Sequence, residues 1–297
     1  MKICNHYYLA KNVEDAVVNL AESKGSAKVI AGGTDLLLDI QQSRHPQPDT
    51  LIDVSQIPEM MELEIRDKHL FIGASVPHNC ITENETVIKN AQALTEACGL
   101  IGGAQVRNVA TLGGNVAHAL PAADGTIALM ALDASVEIAS PGGRKCSPLV
   151  DIFLGPGQNS LARDELITGF YLPLRKGGQA SSFMRVMRPQ GVAIAILNCA
   201  VWLEREEGVI QDIRISIGPS GPVPRRMALA EDSLRGSEPT SKNILMVIDK
   251  VLEEANFRTS RYRSTQQYRK KVVGVLIKDC VESAWNRAGS EDINNGK

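Results

Sequence analysis

Apolar and polar positions along this chain fall into short segments whose period changes repeatedly between that of a helix and that of a strand. Asn12 is placed to cap a helix over Val13–Glu22, with Asp15 in its first turn near the positive helix end. Residues 27–31 read as an apolar strand, followed by Gly32-Gly33, an apolar run opening at Thr34-Asp35, a turn at Pro46 and Pro48, and a strand over 50–54. Together these form one small strand–helix–strand unit. A hairpin about Arg66-Asp67-Lys68, joining strands at 63–65 and 69–74, begins a second unit. Val87, Ala91, Leu94 and Ala97 or Cys98 recur at helical spacing, which predicts a helix over 87–98 with Gly99 as its left-handed cap. A helix over 122–132 and strands over 135–139 and 165–170 follow; the alternation of the last leaves Leu166 or Ile167 free to face a ligand.

Gly177-Gly178 marks a boundary. Beyond it, strands over 183–187, 192–203 and 209–217 precede helices over 226–234, 242–254 and 265–285, and the polar tail 289–297 is expected to fray. Hairpin-joined strands followed by helices predict an α+β fold.

Composition narrows the classes. A chain of 297 residues is long enough for two domains with a real core, and 43% hydrophobic with 22% charged residues is ordinary for a globular protein. The net charge of −2 provides no basic stripe for nucleic acid and no electrostatic case for a membrane surface. No apolar run reaches the length of a span and the N-terminus lacks a signal-type apolar stretch, so the expected location is cytoplasmic. Cys4, Cys80, Cys98, Cys146, Cys199 and Cys280 contain no Cys-x-x-Cys pair, which argues for buried free thiols and against a metal or iron–sulfur site in this chain. The histidines are dispersed and hydrolase motifs are missing.

The chemistry concentrates in two Gly-Gly stretches. The first is Val29-Ile30-Ala31-Gly32-Gly33-Thr34-Asp35-Leu36; the second runs from Gly99-Leu100-Ile101-Gly102-Gly103 through Thr111-Leu112-Gly113-Gly114-Asn115 to Asp124. Glycines let backbone N–H groups turn inward together, making a concave nest for oxygen anions, to which Thr111 and Asn115 add side-chain donors. The Gly-x-Gly-x-x-Gly register of a dinucleotide fold is missing. Asp35 either caps a helix or touches the ligand, and Arg107 either bridges subdomains or meets phosphate. Gln105 and Asn108 hold the loop's shape, and His118 reads as a loop residue bonded to backbone rather than as a base.

The motifs Ala31-Gly32-Gly33-Thr34-Asp35-Leu36, Gln105-Val106-Arg107-Asn108, Thr111-Leu112-Gly113-Gly114-Asn115 and Pro121-Ala122-Ala123-Asp124 occur in one order. With Phe183-Met184-Arg185, Ile215-Ser216-Ile217-Gly218-Pro219 and Tyr268-Arg269-Lys270, they resemble the FAD-binding medium subunit of molybdenum hydroxylases of the xanthine dehydrogenase and carbon monoxide dehydrogenase type. The resemblance implies a two-subdomain FAD-binding domain of the vanillyl-alcohol-oxidase (PCMH) type over 1–176, its subdomains about 1–56 and 57–176, followed by a C-terminal α+β domain over 177–297. It implies that Val29, Ile30, Ala31, Gly32, Gly33, Thr34, Asp35 and Leu36, with Thr111, Gly113, Gly114 and Asn115, wrap the diphosphate and ribityl region. Ile101 would contact the cofactor, Asp124 a sugar hydroxyl, and Leu166 or Ile167 the isoalloxazine. Many members carry a lysine and a nearby Asp-Ile-Ala where this chain has Met184-Arg185 and Val192-Ala193-Ile194. Arg185 would either place a positive charge by the flavin or be a surface arginine.

As partners, the resemblance implies an iron–sulfur small subunit with [2Fe–2S] clusters, a large subunit with the molybdenum cofactor, and an acceptor such as NAD+. Two other classes stay open: a free-standing FAD oxidoreductase, and an assembly or scaffold protein that has lost FAD.

Overall fold

A computed structural model describes residues 2–188 and 194–290. It opens with a parallel three-stranded sheet of β1 (His6–Leu9), β2 (Ala27–Ile30) and β3 (Thr50–Asp53) in the order β1-β3-β2. Helix α1 (Val13–Glu22) joins the first two strands; its Asn12 cap accepts from the Asp15 N–H at 2.8 Å, and Val13, Ala16, Val17 and Leu20 are its buried face. Short helix α2 (Leu36–Gln41) joins β2 to β3. Strand β1 escaped the sequence reading because its four residues are mostly exposed and show no alternation.

The second unit is an antiparallel sheet. Its strands β4 (Leu63–Arg66) and β5 (His69–Gly73) turn at Asp67 and Lys68, both at positive φ as a two-residue hairpin needs. The 87–98 segment is a correction: it forms two helices, α4 (Glu85–Asn90) and α5 (Gln92–Leu100), preceded by α3 (His78–Glu83). The break is at Ala91, which leaves helical geometry, and Gly99 is inside α5; the left-handed residue is Gly102, at φ 56°. Two more short helices, α6 (Ala104–Arg107) and α7 (Leu112–Ala117), occupy the stretch read as a glycine loop.

Helix α8 (Asp124–Ala131) begins two residues later than expected, and every one of its residues is buried. A helix buried all round must be covered on all sides, and α8 packs against α5 and α7 of this unit and against two strands of the next domain. Strands β6 (Ser135–Ser140), β7 (Gly143–Pro148), the small pair β8 (Phe153–Gly155) and β9 (Gln158–Asn159), and β10 (Leu166–Pro173) complete the unit; the large sheet runs β4-β5-β10-β6-β7. Edge strand β7 is polar and largely exposed, which hid it from the apolar pattern.

The last sheet is the antiparallel β11 (Gln179–Val186), β12 (Leu197–Glu206) and β13 (Val209–Gly218). Both faces of β12 are covered: Ala200 and Trp202 join the core of the first two units, while Leu197, Cys199, Val201 and Leu203 pack beneath the C-terminal helices. Burial on both sides explains why this stretch reads as a near-continuous apolar run. The helices are α9 (Ala228–Leu234), α10 (Ser241–Glu254) and α11 (Gln266–Ser290). Val192 and Ala193 of the expected strand, and residues 291–297 of the expected tail, lie outside the described residues. Among the described residues no helix is long and apolar enough to cross a membrane.

Candidate functional site

A cleft of about 1000 Å³ runs between the first two units and reaches the third sheet, a volume at the upper end of the ~300–1,000 Å³ usual for organic ligands. One wall is the turn from β2 into α2, with Val29, Ile30, Ala31, Gly32, Gly33, Thr34, Asp35 and Leu36 all lining it. The two glycines are required for different reasons. A Cβ at Gly32 would stand 1.9 Å from the Val109 carbonyl oxygen, so the turn can lie against that segment only without a side chain. Gly33 has φ +67°, the left-handed conformation that L side chains rarely adopt. Among the described residues, the N–H groups of Gly32, Gly33, Thr34 and Asp35 have no hydrogen-bond acceptor. Asp35 occupies the cap position of α2 without bonding it; its carboxylate instead faces His118, 3.7 Å away.

The opposite wall departs from a free glycine nest. Thr111 caps α7 by accepting from the Gly114 N–H at 3.1 Å, Leu112 and Gly113 donate to the carbonyls of Val76 and Ala74, and Asn115 donates to the Thr111 carbonyl. Those amides are therefore occupied, and this wall offers side chains and open space. Thr111, Gly114 and Asn115 line the cleft, as does Ile101. The Asn115 Oδ1 accepts from Thr126, leaving its amide nitrogen as the donor. Gly113 does not line it: a Cβ there would come within 2.6 Å of the Ala74 carbonyl oxygen, so this glycine serves a close backbone approach.

At the domain junction three polar side chains converge. Asp124, the first residue of α8, pairs with the Arg185 guanidinium of β11 and accepts from the Asn198 amide of β12 at 2.6 Å. The Asp124 and Arg185 side chains are each only 6% exposed. Burial raises the Asp124 carboxyl above its ordinary range, and the attraction of Arg185 and the bond from Asn198 offset only part of that. Arg185 is thus neither on the surface nor free. Its Nε and the Asn198 Oδ1 are buried without partners, two unmet polar atoms beside the cleft. Asp124 spends a lone pair of each oxygen inside the protein and keeps another on each for a hydroxyl donor.

Beyond Gly113, the Leu166 and Ile167 expectation fails on placement, and of the two alternatives for Arg107 the contact with phosphate finds no support. Leu166 and Ile167 do not line the cleft; both are 4% exposed members of the core, and Glu165 is the wall residue of that segment. The bulge after Ile167 rotates the strand so that simple alternation does not apply. Arg107 also stays off the wall: it donates to the carbonyls of Ile101 and Gly102 at 3.2 and 2.9 Å and to Asn79, so its role is to brace the loop.

The sequence reading missed one cluster. His118 Nε2 lies 3.4 Å from the Asp39 carboxylate, which Arg44 also engages at 3.1 Å, so the imidazole stands between Asp35 and Asp39 on the cleft wall. Nothing in the spacing of these residues signals the contact. Cys98, Cys199 and Cys280 are buried free thiols as expected, whereas Cys80 and Cys146 are exposed. No metal-holding group occurs among the described residues.

Unpartnered amides after a strand, facing donors and an unmet buried polar pair define a protein built to hold an extended, phosphate-bearing organic cofactor. Residues 2–175 match the FAD binding domain in molybdopterin dehydrogenase and residues 181–284 the CO dehydrogenase flavoprotein C-terminal domain. The chain belongs to this family, the FAD-binding medium subunits of the molybdenum hydroxylases. It is 32% identical to the nicotine 6-hydroxylase medium subunit of Paenarthrobacter nicotinovorans, over 95% of this chain and 97% of that one. It is 27% identical to the xanthine dehydrogenase FAD-binding subunit of Escherichia coli O157:H7, over 96% and 97%. Among solved structures, carbon monoxide dehydrogenase from Hydrogenophaga pseudoflava superposes with a TM-score of 0.91 at 27% identity, covering 97% of this chain and 99% of that one.

Proposed function

We propose that this chain is the electron-transfer subunit of a molybdenum-containing hydroxylase or dehydrogenase, taking electrons from [2Fe–2S] clusters of a small partner subunit and passing them to NAD+ or another acceptor. In this reading a large partner subunit carries the molybdenum cofactor and meets the organic substrate, the FAD domain spans 1–176 with the C-terminal domain over 177–297, and the complex is cytoplasmic. The observation that carries the reading is the row of unpartnered N–H groups from Gly32 to Asp35 facing Thr111 and Asn115 across the cleft. Four consecutive amides without internal acceptors, on a turn that lines the cleft, suit a diphosphate.

When bound, FAD supplies the exchange of single and paired electrons. The chain's own residues bind and orient it. Gly32, Gly33, Thr34 and Asp35 donate to phosphate oxygens, Ile101 offers an apolar contact, and Asp124 accepts from a sugar hydroxyl. Arg185 keeps a positive charge beside the site, where negative charge in a reduced cofactor is favoured. No residue is required to move a proton to or from an organic substrate.

The test is the visible absorption spectrum of the purified protein, with the released cofactor identified and co-purifying subunits analysed for iron, sulfide and molybdenum. Stoichiometric FAD with both partners is the expected result. FAD without partners would favour a free-standing oxidoreductase, and a colourless chain that refuses added FAD would favour a scaffold.

A further inference from the structure

One cluster of titratable side chains on the cleft wall is left without a role by the phosphate and sugar contacts. His118, at the C-terminal cap of α7, stands between two carboxylates of the first unit: its Nδ1 lies 3.7 Å from Asp35 and its Nε2 3.4 Å from Asp39. Arg44 engages Asp39 at 3.1 Å, and the His45 Nε2 lies 3.8 Å from the same carboxylate. Asp35, Asp39, His45 and His118 all line the cleft. Among the described residues no other charged group is at ion-pairing distance from the His118 ring. The hairpin of β8 and β9 meets its chain neighbours Ala117 and Ala119 through Asn159 and Gly157, which carry no charge.

The contact joins the two walls of the cleft, because Asp35 and Asp39 belong to the α2 segment and His118 to α7. The Asp39 side chain is 10% exposed and that of His118 27%, so the carboxylate is shielded while the imidazole still exchanges protons with water. Position and charge then combine. Asp35 carries one of the unpartnered amides of the Gly32–Asp35 turn, and its own carboxylate hangs from that same residue. With Arg44 as the fixed cation, Asp35 and Asp39 leave one uncompensated negative charge beside the turn, which a proton on His118 cancels. An anion arriving at the turn is repelled by bare carboxylates and attracted by an imidazolium. By linkage, its arrival draws the proton onto the ring.

We propose that His118 makes cofactor binding proton-linked: its imidazole takes up one proton from solvent when the diphosphate of FAD enters, neutralising the Asp35–Asp39 pair and clasping α2 to α7. The inference rests on the reading that places that diphosphate at the Gly32–Asp35 turn. No bond to the cofactor forms and no electron moves; the step is a protonation coupled to binding. The occupied site then holds more protons than the empty one. Affinity for FAD therefore falls as pH rises through the range in which histidine changes charge.

The experiment is titration of the FAD-depleted full chain with FAD between about pH 6 and about pH 8, for the wild type, H118Q, H118K and H45Q. Binding is followed by flavin fluorescence and by calorimetry in buffers of different ionisation enthalpy, which counts the protons taken up. The diphosphate of FAD stays doubly ionised throughout, so the titrating group belongs to the protein. The wild type is expected to lose affinity about threefold to tenfold across the range, with net proton uptake. H118Q keeps a neutral donor toward the carboxylates and should change less than about twofold, with the uptake gone. H118K, charged throughout, should hold its acid-side affinity at the alkaline end, and H45Q should keep the wild-type slope. A wild-type affinity independent of pH, a slope that survives in H118Q, or one that disappears in H45Q instead overturns the proposal. So does an equal loss of affinity in H118Q at every pH with the slope intact, which would make His118 a structural contact only. If the wild type binds no FAD at any pH, the reading of the cleft falls as well; FAD bound with an unaltered slope overturns the proton linkage alone.

Discussion

At Gly114 an added Cβ meets only the Thr111 hydroxyl, at 3.2 Å, and otherwise points into the cleft. Gly114→Val is expected to abolish FAD retention while circular dichroism and the unfolding midpoint stay near wild type. Gly32→Ala is the contrasting case, because its Cβ would collide with the Val109 carbonyl and the two walls must part. That variant should lose stability by about 1–3 kcal/mol, as overpacking does, with denaturant unfolding as the measure. Equal effects of the two substitutions on stability would contradict this division of roles. Arg185→Met tests the buried pair: it leaves the Asp124 carboxylate without its cation, at a cost of about 3–5 kcal/mol. The sign with pH follows from the raised carboxyl. A folded-state value above the unfolded one makes the folded form bind more protons, so stability falls as pH rises through it. The variant should therefore unfold more readily at neutral pH than in mild acid, relative to wild type.

Elements meet at the corner of α3, α6 and α7, where the residue at the start of α3 is a histidine. His78 is 1% exposed, donates its backbone N–H to the Ala110 carbonyl, and has no partner for its Nδ1. Burial, aided by the Arg107 cation, lowers its pKa to about 4. In the unfolded chain the imidazole protonates near its usual ~6.5, so between these values the unfolded state binds more protons. Stability is then full above about pH 6.5 and declines as pH falls toward 4, by an amount of up to about 3 kcal/mol. His78→Gln, neutral throughout, should remove that decline from a plot of unfolding midpoint against pH; an unchanged slope would reject the assignment. Because this corner carries α6 and the segment leading to Thr111, acid should also loosen the wall that faces the Gly32–Asp35 turn.

Across the whole molecule the two domains are stitched by α5. Glu96 accepts from the Phe183 N–H at 2.8 Å and from Arg287 of α11, while Ser181 accepts from the Ala93 N–H and from Arg287 through its own carbonyl. Phe183, Ala200 and Trp202 extend the first core under the third sheet. We expect one cooperative thermal transition for both domains. Glu96→Ala, which strands two donors at the seam, should lower it by about 1–3 kcal/mol, measured by calorimetry; two separate transitions in the wild type would show the seam to be weak.

Much was legible locally. The Asn12 cap, the turn at Asp67 and Lys68 and the strand–Gly-Gly–helix turn at 29–36 each depend on residues close in the chain, so their chemistry is written in neighbouring letters. The motif order was enough for the family. What the sequence determined, then, was most of the longer elements, the α+β class and the cleft's first wall, because short-range propensity and turn chemistry govern these. Tertiary structure alone decided that the second glycine pair lies on a capped helix with its amides spent, and that Leu166 and Ile167 face the core. It also decided that Asp124 meets Arg185 and that His118 stands between Asp35 and Asp39. Each of these outcomes depends on packing or charge between residues far apart in the chain, and no local pattern encodes which distant partner will arrive.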